Sequence, residues 1–321
     1  MAKSNQKLWV ITDGKIGDVN QCLGIAEALG GHIHQFIVSP RKLYSLLSPW
    51  GPVDHKALNN ASQFFLGPFP DIAIASGRRA VPYLRYLKKK SNNKTLTVFL
   101  KDPRVGCKAA DLIWVNSHDK LRGKNVLVTS TGPHRITERK LEMAAKNAPS
   151  HLRSLKQPRT AVLVGGNSRH HFFSESDIQS FAQALKQHNK THSLMITASR
   201  RTPAKLAQIL ATLGEKENNY LWDGSGDNPL LPFLALSDNI IVTTDSANML
   251  GEAAVTGKPI YGFQPSGGHP KFEQLTNELK RLGALTDFPY ETTATNYEPI
   301  NATPIIANWI RKQLDQRNNK G

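Results

Sequence analysis

The chain has 321 residues, 39% hydrophobic and 21% charged, which is the balance of a folded chain with room for two domains. Its two cysteines, Cys22 and Cys107, cannot build a disulfide framework or a four-cysteine zinc site, and no run approaches the roughly 20 apolar residues of a membrane helix. Lys+Arg number 41 against 25 Asp+Glu, a net charge of +16, which turns attention to anionic partners.

The start, Met1 to Val10, is polar and has no h-region or cleavage site, so a cytoplasmic chain is expected. Apolar runs then predict strands at Leu8–Thr12, His32–Val38, Ile72–Ala75, Leu96–Leu100, Leu112–Val115 and Val126–Thr129. They are rich in Val, Ile and Leu and do not alternate, as expected of strands buried on both faces. Helical patterns lie between and after them at Gln21–Leu29, Lys42–Leu47, Ala80–Lys89 and Glu138–Lys146. A stretch with Pro149, Pro158 and several basic residues, Asn147–Arg159, marks a break. Beyond it, strands are expected at Ala161–Val164, Leu194–Thr197, Tyr220–Trp222, Ile240–Thr243 and Ile260–Phe263. Helices are expected at Glu175–Gln187, Pro203–Leu213, Pro229–Leu236, Ala247–Val255 and Lys271–Leu282. An irregular stretch, Thr292–Thr303, precedes a last amphipathic helix, Ile305–Gln316, with the option of crossing back to the first half.

Strand–helix alternation of this kind predicts an α/β fold of two doubly wound domains facing each other, 1–157 and 158–321. The charge is split between them unevenly. Residues 1–157 hold 25 Lys+Arg and 10 Asp+Glu, a net +15, and residues 158–321 hold 16 and 15, a net +1.

Several signatures of other chemistries are missing. There is no G-x-x-x-x-G-K-[ST], no G-x-G-x-x-G after a strand, no G-x-S-x-G, no D-x-D and no Cys/His cluster with metal-ligand spacing, so no metal site is expected. What recurs instead is a polar loop directly after a predicted strand. In the second half, IIVTTDSANMLGEAAVTGKP places Thr244, Asp245, Ser246, Ala247 and Asn248 at a helix start suited to a phosphate. Glu252 lies about two turns into that helix, where its carboxylate could accept from a pair of ribose hydroxyls. Gly165, Gly166 and Asn167 form a second loop, followed by Arg169 and two histidines. Ser199, Arg200 and Arg201 form a third, with adjacent arginines suited to a diphosphate. Helix capping and solvated turns are the plain alternatives for each loop, but the three follow strands of one sheet and converge on one edge.

The first half has its own set. Asp13, Lys15, Asp18 and Gln21 follow the first strand, and Ser76, Gly77, Arg78 and Arg79 follow the third. Asp102 and Arg104, then His118, then His134 and Arg135, follow the next three. The basic members suit an anionic acceptor, and Asp13, Asp18 or His118 could serve as general base.

At these residues the chain resembles a known family. TDGKIGDVNQCLGIAEAL, SGRR, DPR, NSHD, GPHR, GGN, SRRTP and TTDSANMLGEAAVTGKP are similar, in this order, to segments of the plant elongated-mitochondria fission factor family, which includes many bacterial members described as glycosyltransferases. The resemblance spans about residues 8–285 and implies a GT-B fold of two Rossmann-like domains. EAAVTGKP is similar, more distantly, to the donor-binding helix of the lipid-linked glucosaminyl transferase of peptidoglycan synthesis. That likeness implies Glu252 as ribose ligand, Ser246, Ala247 and Asn248 as the phosphate-side turn, and a first domain that holds the acceptor at a membrane surface. The first loop departs from that enzyme by lacking a histidine, which leaves Asp13 and Asp18 as the leading bases and His118 behind them.

The resulting expectation is a metal-independent glycosyltransferase. It would move sugar from a nucleotide-diphosphate sugar, its donor substrate and not a bound cofactor, to an anionic or lipid-linked envelope acceptor. It is expected to be cytoplasmic and peripheral at the inner membrane, touching anionic lipid through the first domain. A non-catalytic adaptor of the same fold and a nucleotide-sugar epimerase are the alternatives. A nucleic-acid binder ranks last, since aromatic residues are only 7% and no recognition motif is present.

Overall fold

The computed structural model describes residues 6–290 and 296–319. Residues 1–5 of the polar start and 292–295 of the irregular stretch lie outside them. The chain divides into two compact units, one of residues 1–135 with 301–321 and one of residues 136–300.

The first unit carries strands β1 (Lys7–Thr12), β2 (His32–Ile37), β3 (Ile72–Ser76), β4 (Leu96–Leu100), β5 (Leu112–Asn116) and β6 (Val126–Thr129). Helices α1 (Ile16–Leu29), α2 (Lys42–Leu47), α3 (Ala61–Leu66) and α4 (Val81–Lys90) connect them. All strand pairs are parallel, in the order β2-β1-β3-β4-β5-β6. β3 and β4 are buried along their whole length, the physical reason their sequences are apolar without alternation. Leu8, Val10, Ile74 and Trp114 face one apolar layer, and Trp9, Ile11, Phe36 and Phe99 face the other.

The second unit opens with α5 (Glu138–Lys146) and α6 (Ser150–Arg153). There follow β7 (Arg159–Val164), β8 (His171–Phe172), α7 (Glu175–His188), β9 (Ser193–Ala198), α8 (Ala204–Gly214) and β10 (Tyr220–Leu221). Then come α9 (Leu230–Leu236), β11 (Asn239–Thr243), α10 (Ala247–Ala254), β12 (Ile260–Phe263), β13 (Ser266–Gly267), α11 (Pro270–Arg281) and β14 (Leu285–Asp287). Six strands form a parallel sheet in the order β10-β9-β7-β11-β12-β14, while β8 and β13 pair antiparallel outside it. Counted along the sheet's own strands this is the order 3-2-1-4-5-6 of a Rossmann sheet. The last helix, α12 (Ala302–Asn318), sets Ala302, Ile306, Ala307, Ile310 and Leu314 into the core beside α1 of the first unit.

The boundary therefore falls after Arg135 and not at 157. Leu141 on α5, Leu152 on α6 and Leu155 join the second unit's core, which draws that basic connecting stretch with them. The charge asymmetry survives the change. The first unit holds 24 Lys+Arg and 9 Asp+Glu, net +15, and the second 17 and 16, net +1. α1 also begins five residues before the predicted helix. The turn at Gly14 (φ +81°) ends the strand, and Val19 N already donates to Lys15 O at 2.9 Å.

Candidate functional site

In a doubly wound sheet, ligands bind beyond the carboxyl ends of the strands, where the strand order reverses. In the second unit that point lies between β7 and β11. The two loops leaving there are Gly165–Asn167 and Thr244–Ser246, and one carboxylate ties them together. Asp245 is buried and accepts from Gly166 N at 3.0 Å and from Thr243 Oγ1 at 2.7 Å. Thr243 Oγ1 in turn accepts from Gly165 N at 2.7 Å. Neither glycine could carry a side chain, since a Cβ on Gly165 would lie 2.2 Å from the Asp245 carboxylate and one on Gly166 2.1 Å from Arg201 backbone.

The loop after β9 is stitched to the same place. Arg201 NH1 donates to Gly166 O (3.2 Å) and Asn167 O (3.0 Å), its NH2 lies 3.5 Å from Asp245, and Asn167 N donates to Arg201 O (3.0 Å). Thr202 Oγ1 donates to Gly165 O at 2.5 Å, and Ser199 N to Val164 O at 2.8 Å. The two adjacent arginines thus separate in role. Arg201 holds the loops, and Arg200 stays exposed at the tip. Asp245, expected at the donor, has both oxygens engaged beneath the loops, by Gly166 N and Thr243 Oγ1. Thr244 likewise donates to Gln264 Oε1 (2.5 Å).

α10 leaves this knot with Ser246 as N-cap, accepting from Met249 N at 3.4 Å. Ala247 and Asn248 form its first turn beside the open N–H groups. Burial pushes the Glu252 carboxyl up to about 7. Lys258, a few residues on, is pushed down to about 8 by burial and donates to Leu234 O and Ala235 O, capping the end of α9. His171 is the second of the two histidines that follow the glycine loop. It is 1% exposed on β8, both its ring nitrogens lack a hydrogen-bond partner, and its ring meets Phe272 edge-on at 4.7 Å. Burial holds its pKa below the ordinary value despite the nearby Asp245 charge.

In the first unit the order reverses between β1 and β3. The loops there bring Asp13 against Gly77, whose Cβ would lie 3.2 Å from the Asp13 carboxyl and whose φ is +94°. Asp13 Oδ2 pairs with Lys15 Nζ at 3.1 Å, while Oδ1 is buried without a hydrogen-bond partner. Asp18, in the first turn of α1, is buried beside Ser76 Oγ (3.0 Å) and Lys101 Nζ (2.5 Å). Lys101 was not among the sequence candidates. It has a left-handed φ of +79°, and Arg104 in the same loop has +63°, strained conformations that cluster at functional sites. Arg104 N donates to Asp102 Oδ1 at 2.8 Å, and Arg78 NH2 to Ser45 O at 3.2 Å; Arg79 is half-buried beside it.

Four further candidates have these contacts. His134 is buried, with its N–H on Thr303 Oγ1 and its O accepting from the same hydroxyl, both at 2.9 Å. Arg135 pairs with Glu27 at 2.5 Å. These two, read from sequence as anion-binding, tie α12 and α1 into the unit. Gln21 is buried against Gly132, and His118 lies 3.9 Å from Asp119. Among the described residues no cluster of three or more His, Cys, Asp or Glu could hold a metal ion.

The model of the mitochondrial fission ELM1 family matches residues 16–314. The chain belongs to that family. A Rickettsia prowazekii protein, RP120, is 29% identical over 96% of this chain and 98% of its own length. The Arabidopsis thaliana mitochondrial fission protein ELM1 is 24% identical over 96% of this chain and 91% of its own. Among solved structures, the UDP-GlcNAc 2-epimerase of Methanocaldococcus jannaschii is similar, with TM-score 0.60 at 12% identity, covering 96% of this chain and 99% of the epimerase. That epimerase has also been solved in complex with UDP-GlcNAc and UDP. This member of the family therefore has the GT-B-like α/β fold of two Rossmann-like units.

Proposed function

We propose that this chain is a glycosyltransferase that takes its sugar from a nucleotide-diphosphate donor bound by the second unit. The observation that carries the reading is the β7/β11 switch point. There a carboxylate-tied glycine loop, a helix N-terminus and the Glu252 carboxyl stand on adjoining elements of one sheet edge. The diphosphate lies against the N–H groups at Ser246–Asn248 with Arg200 as the exposed cation, and Glu252 accepts from the ribose hydroxyls. The likeness to an epimerase of UDP-GlcNAc supports the same ligand class.

The first unit holds an anionic or lipid-linked acceptor through Arg78, Arg79, Arg104 and Lys101. Asp13 takes the acceptor hydroxyl proton on its unpartnered oxygen. The acceptor oxygen then bonds to the anomeric carbon as the bond to the nucleotide diphosphate breaks. Arg200 and the α10 N-terminus stabilise the departing charge, so the step needs no metal. The enzyme works at an anionic membrane surface, which suits the +15 of the first unit.

The test is a thermal-shift panel of UDP-, ADP- and GDP-sugars, followed by transfer assays in EDTA. A donor at a hundred times its Kd stabilises by ~2.7 kcal/mol. Stabilisation with transfer supports the reading, and isomerised donor without transfer moves the chain to the epimerases. No response to any nucleotide points to an adaptor, and activity that requires added metal ends the metal-free version.

A further inference from the structure

α2 and the turn after it are built inside out. Leu43, Leu46 and Leu47 follow the i, i+3, i+4 spacing of a helix's core face, and Trp50 follows in the turn beyond Ser48. Yet they are 65%, 75%, 46% and 66% exposed, while Ser45 and Ser48 between them are buried. The segment is fixed from its polar side. Arg41 closes a fork on buried Asp54, with Nε at 2.8 Å and NH2 at 2.9 Å, and this holds the Asp54 carboxyl well below the usual carboxylate range. Arg41 N adds a third bond to Asp54 at 3.0 Å, and Arg78 NH2 reaches Ser45 O at 3.2 Å. The leucines and the tryptophan are therefore displayed on a rigid base.

We propose that Leu43, Leu46, Leu47 and Trp50 insert into the interfacial layer of an anionic bilayer. The inference rests on the acceptor-side reading of the first unit and names the part of that unit that meets the membrane. Exposed Lys42 stands at the start of the segment, and the unit that carries it has a net charge of +15. A short helix with exposed leucines, an exposed tryptophan in the turn after it and a lysine at its start suits the headgroup boundary. A second copy of the chain is the poorer occupant, because joining two such faces brings two +15 units together. The Arg78 contact also matters. It places α2 beside the Gly77–Arg79 loop, so insertion would bring the acceptor-side loops of this unit to the headgroup layer.

Trp50 is itself the probe. Of the five tryptophans, Trp9 and Trp114 are fully buried and Trp222 and Trp309 half-buried, so Trp50 is the exposed one. The full chain is titrated with vesicles of phosphatidylcholine alone and of phosphatidylcholine with phosphatidylglycerol, reading tryptophan emission and co-sedimentation. The expected result is a blue shift with the anionic vesicles that Trp50→Phe abolishes, with part of the binding surviving high salt. Leu46→Ser should weaken partitioning about tenfold without changing the melting temperature. Binding that salt removes completely, with no shift in emission, overturns insertion in favour of charge alone. Self-association without lipid that Leu46→Ser abolishes overturns it in favour of a second copy. Failure to bind either vesicle, with nucleotide-sugar stabilisation intact, overturns it and leaves the donor reading standing. Insertion without any nucleotide response supports it and sinks the donor reading.

Discussion

The two units use the same device, a parallel sheet whose strand order reverses, and furnish it differently. At the second unit's switch point most polar side chains are tied to the loops themselves. Asp245, Thr243 and Arg201 are engaged with backbone, and what they leave facing outward is loop backbone and a helix start. At the first unit's switch point the side chains themselves are the equipment, with Asp13 half-satisfied and Asp18, Ser76 and Lys101 linked around a strained loop. The contrast teaches that the second unit spends its polar side chains on loop backbone, whereas the first pairs them with one another and leaves one buried carboxylate oxygen, Asp13 Oδ1, without a partner. The charge follows the same division, +15 against +1.

That contrast can be broken by exchanging stability and activity losses between the units. The largest effect is expected at Asp13→Asn, which should lower turnover by about 10²–10⁴ while the denaturation midpoint stays put. A matching drop in stability would make Asp13 a structural residue. Next comes Asp245→Ala, which strands the Gly166 N–H and the Thr243 hydroxyl in a buried place. Denaturant melts should show a loss of about 3 kcal/mol, and donor binding should fall more than a hundredfold. Unchanged stability would mean the loops do not depend on this carboxylate.

Glu252 gives a sharper, pH-dependent version. Its pKa is raised in the fold, so between about 4.5 and about 7 the native state holds a proton that the unfolded state has lost. Stability from this group therefore falls as pH rises through that window. Glu252→Gln should make the ligand-free protein more stable at about pH 8, on the order of 2 kcal/mol, and leave it unchanged near pH 4. Donor affinity should move the other way and rise between about pH 6 and pH 8, because the ionised carboxylate is the better acceptor for ribose hydroxyls. The smallest effect is expected at Gly77→Ala, where a left-handed φ and the Asp13 contact at 3.2 Å should together cost about 1 kcal/mol in a thermal melt.

How far the sequence carries depends on the range of the interaction involved. Strands such as Ile72–Ser76 and Leu96–Leu100 are legible because burial on both faces leaves an unbroken apolar run. The loops at their ends are legible because polar residues directly follow. The strain at Lys101 is not, since a left-handed backbone on a lysine leaves no mark in composition. Nor is the inward turn of Asp245, or the diversion of His134 to Thr303, which lies 169 residues away. α1 begins early because Gly14 is a turn that releases a helix, while its neighbours Asp13, Lys15 and Asp18 read as loop. In each case the deciding contact is distant in sequence, or it concerns conformation and not residue type.

The claim on which the rest depends is that the second unit's switch point binds a nucleotide-diphosphate sugar through α10. Titration calorimetry of the donor that gives the largest thermal shift, into wild type and Glu252→Ala at about pH 8, tests it most directly. The account predicts saturable binding by wild type and at least about tenfold weaker binding by the variant, the loss expected for charge-assisted hydrogen bonds to two hydroxyls. Equal affinity in the two proteins would contradict it.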